Sequence, residues 1–419
     1  MMFTNVVDAI SWIESVKRFG DKYDLSRMEL ACKILGNPEK KVKYIHVAGT
    51  NGKGSTVSYL KHILLEHGYQ VGTYTSPYIV RYNERITYNY DDITDEELLF
   101  YINKVNSLYH EVIQTHNQII TFFELTTLMA FMFYADKKVD FVVCEVGLGG
   151  RLDATNVITP LISVITNISY DHMHVLGNTL EEIALNKLGI VKQGIPLVTT
   201  VKEPELLELF QTYTNNLNAK LTVIQDKDIS DIKYGSQTKF NYKGDVYFIE
   251  MLGNHQVRNA VLAIEVIFQL NQLKKTAVSL STIKMGLLNT FWPGRLECFG
   301  NIVLDGAHNT GGMTALKESV ETLFKGKTIK VLYTSMADKE YYDIIHILDS
   351  FASEIHFTQF DYPRCETAQN LYDVSNHPNK FLNEDALQAL HVLKDLKKHE
   401  ILLVTGSLYF ISLIRKNLK

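Results

Sequence analysis

A strand, a glycine-rich loop and a helix in immediate succession leave a chain few ways to fold, and "KYIHVAGTNGKGSTVSYLKHILLEHG" has that form. "KYIHVAGT" reads as a strand running into the loop. "STVSYLKHILLEHG" is apolar at Val57, Leu60, Ile63 and Leu64, the spacing of one helix face, and Gly68 marks its end. Between them Gly49 to Ser55, "GTNGKGS", has the context of a phosphate-binding loop. Its glycines let backbone N–H groups approach phosphate oxygens. Lys53 is placed to reach the terminal phosphates and Ser55 or Thr56 to face Mg²⁺, while the helix adds its positive N-terminus. Thr50, Asn51, Gly52, Lys53, Gly54, Ser55 and Thr56 are the candidate nucleotide-phosphate-binding residues of this loop. A plain Gly-rich turn is the alternative, and the strand before and helix after count against it.

The rest of the chain alternates short β-rich runs with helical stretches, which predicts parallel α/β sheets. "VDFVVCEVGLGG" and "PLISVITNISYDH" read as buried strands ending in polar or Gly-rich text, where α/β proteins place ligands. From about Ala219 to Leu252 the texture changes. "AKLTVIQDKD" and "KFNYKGDVYFIEML" predict strands with a Lys-Gly turn, a small antiparallel patch, and a long helix follows from about His255 to Leu270. The alternation restarts after "FWPGRLE". Strands are expected in "NIVLDGAHN", "TIKVLYTS", "SEIHFTQF" and "EILLVTG", with helices near Met313 to Phe324, Tyr341 to Phe351 and Asp385 to Leu396. The expected fold class is α/β: a P-loop parallel-sheet ATPase domain with a small antiparallel patch over 1–294, then a smaller Rossmann-like α/β domain over 295–419. A length of 419 residues, long for one core, agrees.

A formal charge of -5 gives no pull toward nucleic acid or an anionic membrane, so an anionic substrate must be met by a local cluster of donors. Cys32, Cys144, Cys298 and Cys365 are scattered without a Cys-x-x-Cys, and Cys144 lies in an apolar run as a buried thiol would. The N-terminal stretch is interrupted by Asp8 and Glu14 and reads as an amphipathic helix rather than a signal peptide. No apolar run reaches membrane-spanning length. These features predict a cytoplasmic protein.

A phosphate loop does not choose between GTPase, kinase and ligase. A GTPase reads guanine with Asn-Lys-x-Asp, and the nearest text, "NKLG" at Asn186 to Gly189, has Gly where the Asp is required. The wording of the loop goes further. "HVAGTNGKGS" resembles the phosphate loop of Mur-type ATP-dependent amino-acid ligases, in the branch of folylpolyglutamate and dihydrofolate synthases. "YTSPYIVRYNERI", "TFFELTTLMAF", "EVGLGGRLDATNVI", "LGNHQVRNA", "WPGRLE", "DGAHN" and "TGSLYF" resemble blocks of that family in its order, over essentially the whole chain. The relatives that act on UDP-linked cell-wall precursors need a further N-terminal domain, and only 45 residues precede His46.

The resemblance implies an ATP-dependent ligase that phosphorylates a carboxylate of a reduced folate or of dihydropteroate and joins L-glutamate to it. It implies Mg²⁺, two ions, with ATP as co-substrate, a monovalent cation and a monomer. It makes Glu145 and Ser76 ligands of one Mg²⁺ and places His172 at the second; from position alone a capping or salt-bridged role is the lesser alternative for Glu145, whereas Ser76 before Pro reads first as a turn residue. Lys53, Lys187 and His172 become the catalytic set. Lys187, which reads as a surface helix lysine, matches a lysine often carbamylated in the family, although "NKLG" departs from the usual "EKAG". Asn259, Arg295, Asp305 and His308 match nucleotide contacts. Asn259 is suited to the adenine edge and Arg295 to phosphate oxygens, while Asp305 holds the ribose or orders the phosphate contacts. ATP is then expected in a cleft between the domains. Thr121, Phe122, Phe123 and Glu124 with Arg151, Leu152 and Asp153 are the candidate pterin residues, with core packing the competing reading for one of the phenylalanines. "TSMADKE" and "YPR" are candidates for the glutamate pocket.

Overall fold

Burial of every residue in Tyr44–Ala48 makes this stretch, β1, the centre of a sheet. It pairs in parallel on both sides, as a strand buried on both faces does. The computed structural model describes residues 2–17 and 24–418. These fall into two compact units, one of Met1–Ile229 and Asn259–Asn289, the other of Ser230–Arg258 and Thr290–Lys419.

In the first unit, β1 is joined by β2 (Val71–Tyr74), β3 (Ile86–Tyr88), β4 (Asp91–Asp92), β5 (Phe141–Glu145), β6 (Ile162–Ile165), β7 (Leu197–Thr199) and β8 (Leu221–Val223). Among the described residues the sheet has eight strands in the order β4-β3-β2-β5-β1-β6-β7-β8. It is parallel from β2 to β8, and β3 and β4 extend it antiparallel. Helices cover the faces. Phe122–Lys137 contributes Leu125, Leu128, Met129, Phe131 and Phe133 to the core on one side. Leu180–Leu188 contributes Ile183, Ala184 and Leu188 on the other. Each of these side chains other than Ala184 contributes about 1.5–3 kcal/mol. Cys144 of β5 is fully buried, as its apolar surroundings predict.

One strand differs from expectation. "KLTV" was expected in the antiparallel patch, but Leu221–Val223 pairs in parallel with β7 at the edge of the large sheet. The helix Pro204–Asn216 supplies the crossover a parallel pair needs, and neither strand pattern shows this locally. The patch itself consists of β9 (Ile229–Lys233), β10 (Thr238–Tyr242) and β11 (Asp245–Ile249). Its hairpin turns at Lys243 and Gly244, both at positive φ (50° and 83°), as a tight two-residue turn requires.

The second unit has a sheet of β12 (Glu297–Phe299), β13 (Ile302–Leu304), β14 (Thr328–Tyr333), β15 (Glu354–Thr358), β16 (Lys380–Asn383) and β17 (Glu400–Thr405). Among the described residues its order is β12-β13-β17-β14-β15-β16. All pairs are parallel except β12–β13. Side chains alternate between faces. Val303, Val331 and Leu403 enter one core, and Leu304, Leu332 and Leu402 enter the other. Among the described residues no helix is long and apolar enough to cross a membrane.

Candidate active site

The phosphate loop leaves β1 at Gly49 and enters the helix Lys53–Glu66. It is stitched to the loop that follows β6. The N–H of Thr50 donates to the Asn167 carbonyl (3.0 Å), and that of Asn51 to Asn167 Oδ1 (3.0 Å). The Asn51 carbonyl accepts from Thr166 Oγ1 (2.6 Å) and Asn167 Nδ2 (3.0 Å). Two glycines are obligatory here. Gly49 (φ 143°) runs so close to Thr166 that a Cβ would overlap its hydroxyl. Gly52 (φ 84°) lies against Asn259, whose Oδ1 would be 2.5 Å from a Cβ. Asn259 is thereby brought to the loop. Lys53 Nζ folds over the loop and donates to the carbonyls of Gly49 and Thr50, both at 3.1 Å. Ser55 and Thr56 are buried in the first helical turn.

Lys187 is not the surface lysine its helical context suggests: it is 3% exposed. Burial, with Lys53 adding repulsion and Asp171 opposing it, lowers its pKa to about 7. A substantial part of the amine is therefore neutral near neutral pH. Beside Asp171, His172 has a left-handed backbone (φ 51°), and its Nε2 lies 3.8 Å from the Asp171 carboxylate.

Glu145 ends β5 and is buried, and its Oε2 accepts the N–H of Ser76 (3.2 Å). The carboxylate and the serine named as its co-ligand are thus neighbours at the ends of β5 and β2. Two hard oxygen donors suit Mg²⁺, which is held by one or two carboxylates together with substrate phosphates. Among the described residues no group of three or more His, Cys, Asp or Glu forms a metal cage.

The helix Phe122–Lys137 begins with a capping box in which the Glu124 carboxylate accepts the Thr121 N–H (2.7 Å). The same carboxylate meets Arg27 Nε (3.2 and 3.3 Å) and Nη2 (3.1 Å) in a buried ion pair. Thr121 and Glu124 are therefore occupied in fixing the helix start. The phenylalanines between them diverge. Phe123 packs on Tyr74 (5.9 Å) and against Gly147. Phe122 meets Tyr82 edge-on (6.4 Å). The Arg85 guanidinium lies over Phe122 (5.5 Å), Tyr82 (5.5 Å) and Tyr78 (5.0 Å). Nothing local in "YNERI" ties Arg85 to Phe122, so this arginine-aromatic cluster emerges only from the fold. Close by, the Glu84 carboxylate accepts three successive N–H groups, of Ile79, Val80 and Arg81 (2.7–3.1 Å).

In the loop after β5, Arg151 and Leu152 are exposed and Asp153 is buried. Asp153 holds its own loop, accepting from Leu148 N (2.9 Å), Thr155 N (3.0 Å) and Thr155 Oγ1 (2.5 Å). Burial raises its pKa and these donors oppose the rise.

In the second unit Arg295, Asp305 and His308 come together. Asp305, buried at the end of β13, accepts Leu296 N (3.0 Å) and Ala307 N (2.9 Å). Burial raises its pKa and Arg295 opposes the rise. The Arg295 guanidinium lies over Gly306, and His308 Nδ1 is 2.8 Å from the Gly306 carbonyl. "TSMADKE" and "YPR" also meet: Arg364 pairs with Asp338 (3.3 Å) and lies over Tyr362 and Tyr409 (5.8 Å each), which stack at 4.6 Å.

Residues 47–267 match the Mur ligase middle domain and residues 294–408 the Mur ligase glutamate ligase domain. The chain is 43% identical to a dihydrofolate synthase/folylpolyglutamate synthase of Bacillus subtilis over the full length of both. It superposes on the crystal structure of folylpolyglutamate synthase from Thermotoga maritima with a TM-score of 0.85 at 31% identity, covering 99% of this chain and 96% of that one. E. coli FolC in complex with DHPP and ADP matches with a TM-score of 0.87 at 25% identity, over 99% and 98% of the two chains.

Proposed function

The chain belongs to the Mur ligase family, in the branch of dihydrofolate and folylpolyglutamate synthases, and from that premise we propose how its own residues carry the reaction. It is an ATP-dependent ligase that joins L-glutamate to folates. A folate carboxylate attacks the γ-phosphorus of ATP and ADP leaves. The resulting acyl phosphate is attacked by the glutamate amine, the amine loses a proton, phosphate leaves and an amide remains. Phosphorylation is needed because a carboxylate would otherwise have to expel oxide.

Lys53 and the loop N–H groups take the terminal phosphates, and Asn259 the adenine edge. In the second unit Arg295 forks onto phosphate oxygens, with Asp305 and His308 fixing the turn that carries it. Charge developing on the transferring group is met by positions fixed beforehand, which is where most of the rate enhancement in phosphoryl transfer arises. Glu145 and Ser76 would hold Mg²⁺, and His172 with a carbamylated Lys187 a second ion; bound there, the metal would neutralise phosphate oxygens. Neutralising the amine is the chemical requirement for carbamylation, and a pKa of about 7 supports it. Phe122, Phe123, Arg151 and Leu152 are assigned to the pterin side, and Arg364 to a glutamate carboxylate. The chain is further assigned to the cytoplasm, as a monomer.

The observation that carries this assignment is the stitched phosphate loop with Lys53, buried Lys187 and Asp171 in one electrostatic cluster. We assign both the first glutamate, added to dihydropteroate, and later ones, since the Bacillus relative at 43% identity is named for both activities. The test is phosphate release from MgATP with L-glutamate and either dihydropteroate or tetrahydrofolate, with product length read by mass spectrometry. Release with both pterins is expected. Absence of glutamate-dependent release with either would sink the assignment.

A further inference from the structure

His46 occupies the middle of β1, three residues before Gly49, in register with Cys144 of β5 and Ser163 of β6, and is wholly buried. An imidazole in the central strand of a parallel sheet needs a hydrogen-bond partner. Its partner is Thr155, whose Oγ1 lies 2.8 Å from Nε2. The Thr155 hydroxyl has one proton, and it donates that proton to Asp153 Oδ1 at 2.5 Å. Toward His46 the hydroxyl is therefore the acceptor, so His46 carries its proton on Nε2. Burial, with the nearby charge of Lys192, lowers the imidazole pKa to about 3, and the ring is neutral. The result is a directed relay: His46 to Thr155, Thr155 to Asp153, with Asp153 also accepting the N–H of Leu148.

The relay ties down one side of loop 147–156. The other side is held by different groups. Arg151 N donates to the Asn186 carbonyl (2.7 Å), Asn156 Nδ2 to the carbonyls of Arg151 and Gly189 (3.0 Å each), and Lys192 Nζ to the Asn156 carbonyl (2.9 Å). Between the two sets of ties Arg151 and Leu152 face outward.

We propose that His46 is a positioning residue for the pterin acceptor: through Thr155 and Asp153 it sets loop 147–156, and with it Arg151 and Leu152, in a fixed place relative to the phosphate loop on its own strand. The inference rests on assigning that loop to the pterin side. No member of the relay needs to touch substrate; it acts through the backbone it holds.

The test is steady-state kinetics of the full chain, with the KM for tetrahydrofolate and for ATP measured separately. His46→Gln places an amide N–H near the position of Nε2, whereas His46→Asn places one only near that of Nδ1. Losing one buried hydrogen bond of this relay is expected to raise the tetrahydrofolate KM about tenfold in His46→Asn and leave the ATP KM within about twofold. His46→Gln restores the tetrahydrofolate KM. Thr155→Val, which deletes only the hydroxyl, reproduces the effect and Thr155→Ser reverses it; this pair decides the matter if the His46 variants do not fold. The proposal is overturned if Thr155→Val keeps the wild-type tetrahydrofolate KM, or if both KM values rise together and the Gln and Ser variants do not recover. Failure of the ligase assignment would appear earlier and differently, as wild-type protein without glutamate-dependent turnover.

Discussion

Replacing Gly52 with alanine should separate two costs that the phosphate loop imposes on the same residue. The first is conformational. At φ 84° an L side chain is strained, by about 1–2 kcal/mol. The second is steric. The new Cβ would lie 2.5 Å from Asn259 Oδ1 and 3.2 Å from its Cγ and Nδ2, so the Asn259 side chain must leave its place. Driving it off its rotamer costs about 0.5–1.5 kcal/mol more. Gly52→Ala should thus lose about 1.5–3.5 kcal/mol of stability, and also nucleotide affinity, because Asn259 has moved. In Gly52→Ala/Asn259→Ala the steric part vanishes while the strain remains. The double variant should then be more stable than the sum of the single variants by about 0.5–1.5 kcal/mol. Urea denaturation of the four proteins gives the stability cycle, and calorimetric titration with a non-hydrolysable ATP analogue gives the affinities. Strict additivity, or unchanged nucleotide affinity in Gly52→Ala, would refute the contact between loop and Asn259.

Lys187→Ala should lose turnover, and short carboxylic acids should restore part of it; intact-mass measurement of wild type should show one labile added carboxyl group above pH 7 that disappears at pH 5. Because folding lowers the pKa of Lys187 from 10.5 to about 7, the unfolded state binds more protons between those values. In bicarbonate-free buffer, where the amine is uncarbamylated, wild-type stability relative to Lys187→Met should therefore rise from pH 7 toward pH 10, and a flat difference would contradict the burial. Arg27→Met leaves the Glu124 carboxylate buried without its guanidinium and should cost about 3–5 kcal/mol in urea denaturation. Adding Glu124→Gln should recover a large part, since the amide keeps no charge to compensate.

The elements that carry the phosphate loop were legible because their signals are local. A strand, two obligatory glycines and a helix lie within one stretch, and the Lys-Gly hairpin likewise announces its own turn. Pairing partners were not local. Leu221–Val223 looked like part of the neighbouring hairpin region, yet its register is set by Leu197–Thr199 across a helix. The site divides in the same way. Ser76 and Glu145, named from the family's blocks, prove to be hydrogen-bonded neighbours. The burial of Lys187, the pairing of Arg27 with Glu124 and the line from His46 to Asp153 join residues 97 or more positions apart or depend on packing around a helix, and no window of sequence contains them.

The carboxylates that close the loops have a bearing on selectivity. Glu84 accepts the successive N–H groups of Ile79 to Arg81, Asp153 those of Leu148 and Thr155, Asp305 those of Leu296 and Ala307, and Glu182 those of Asn178 and Thr179. Open N–H groups attract anions, and every substrate of this ligase is one. With an acid side chain of its own at each, the protein keeps these N–H groups paired within the fold rather than open to a carboxylate or phosphate from solution.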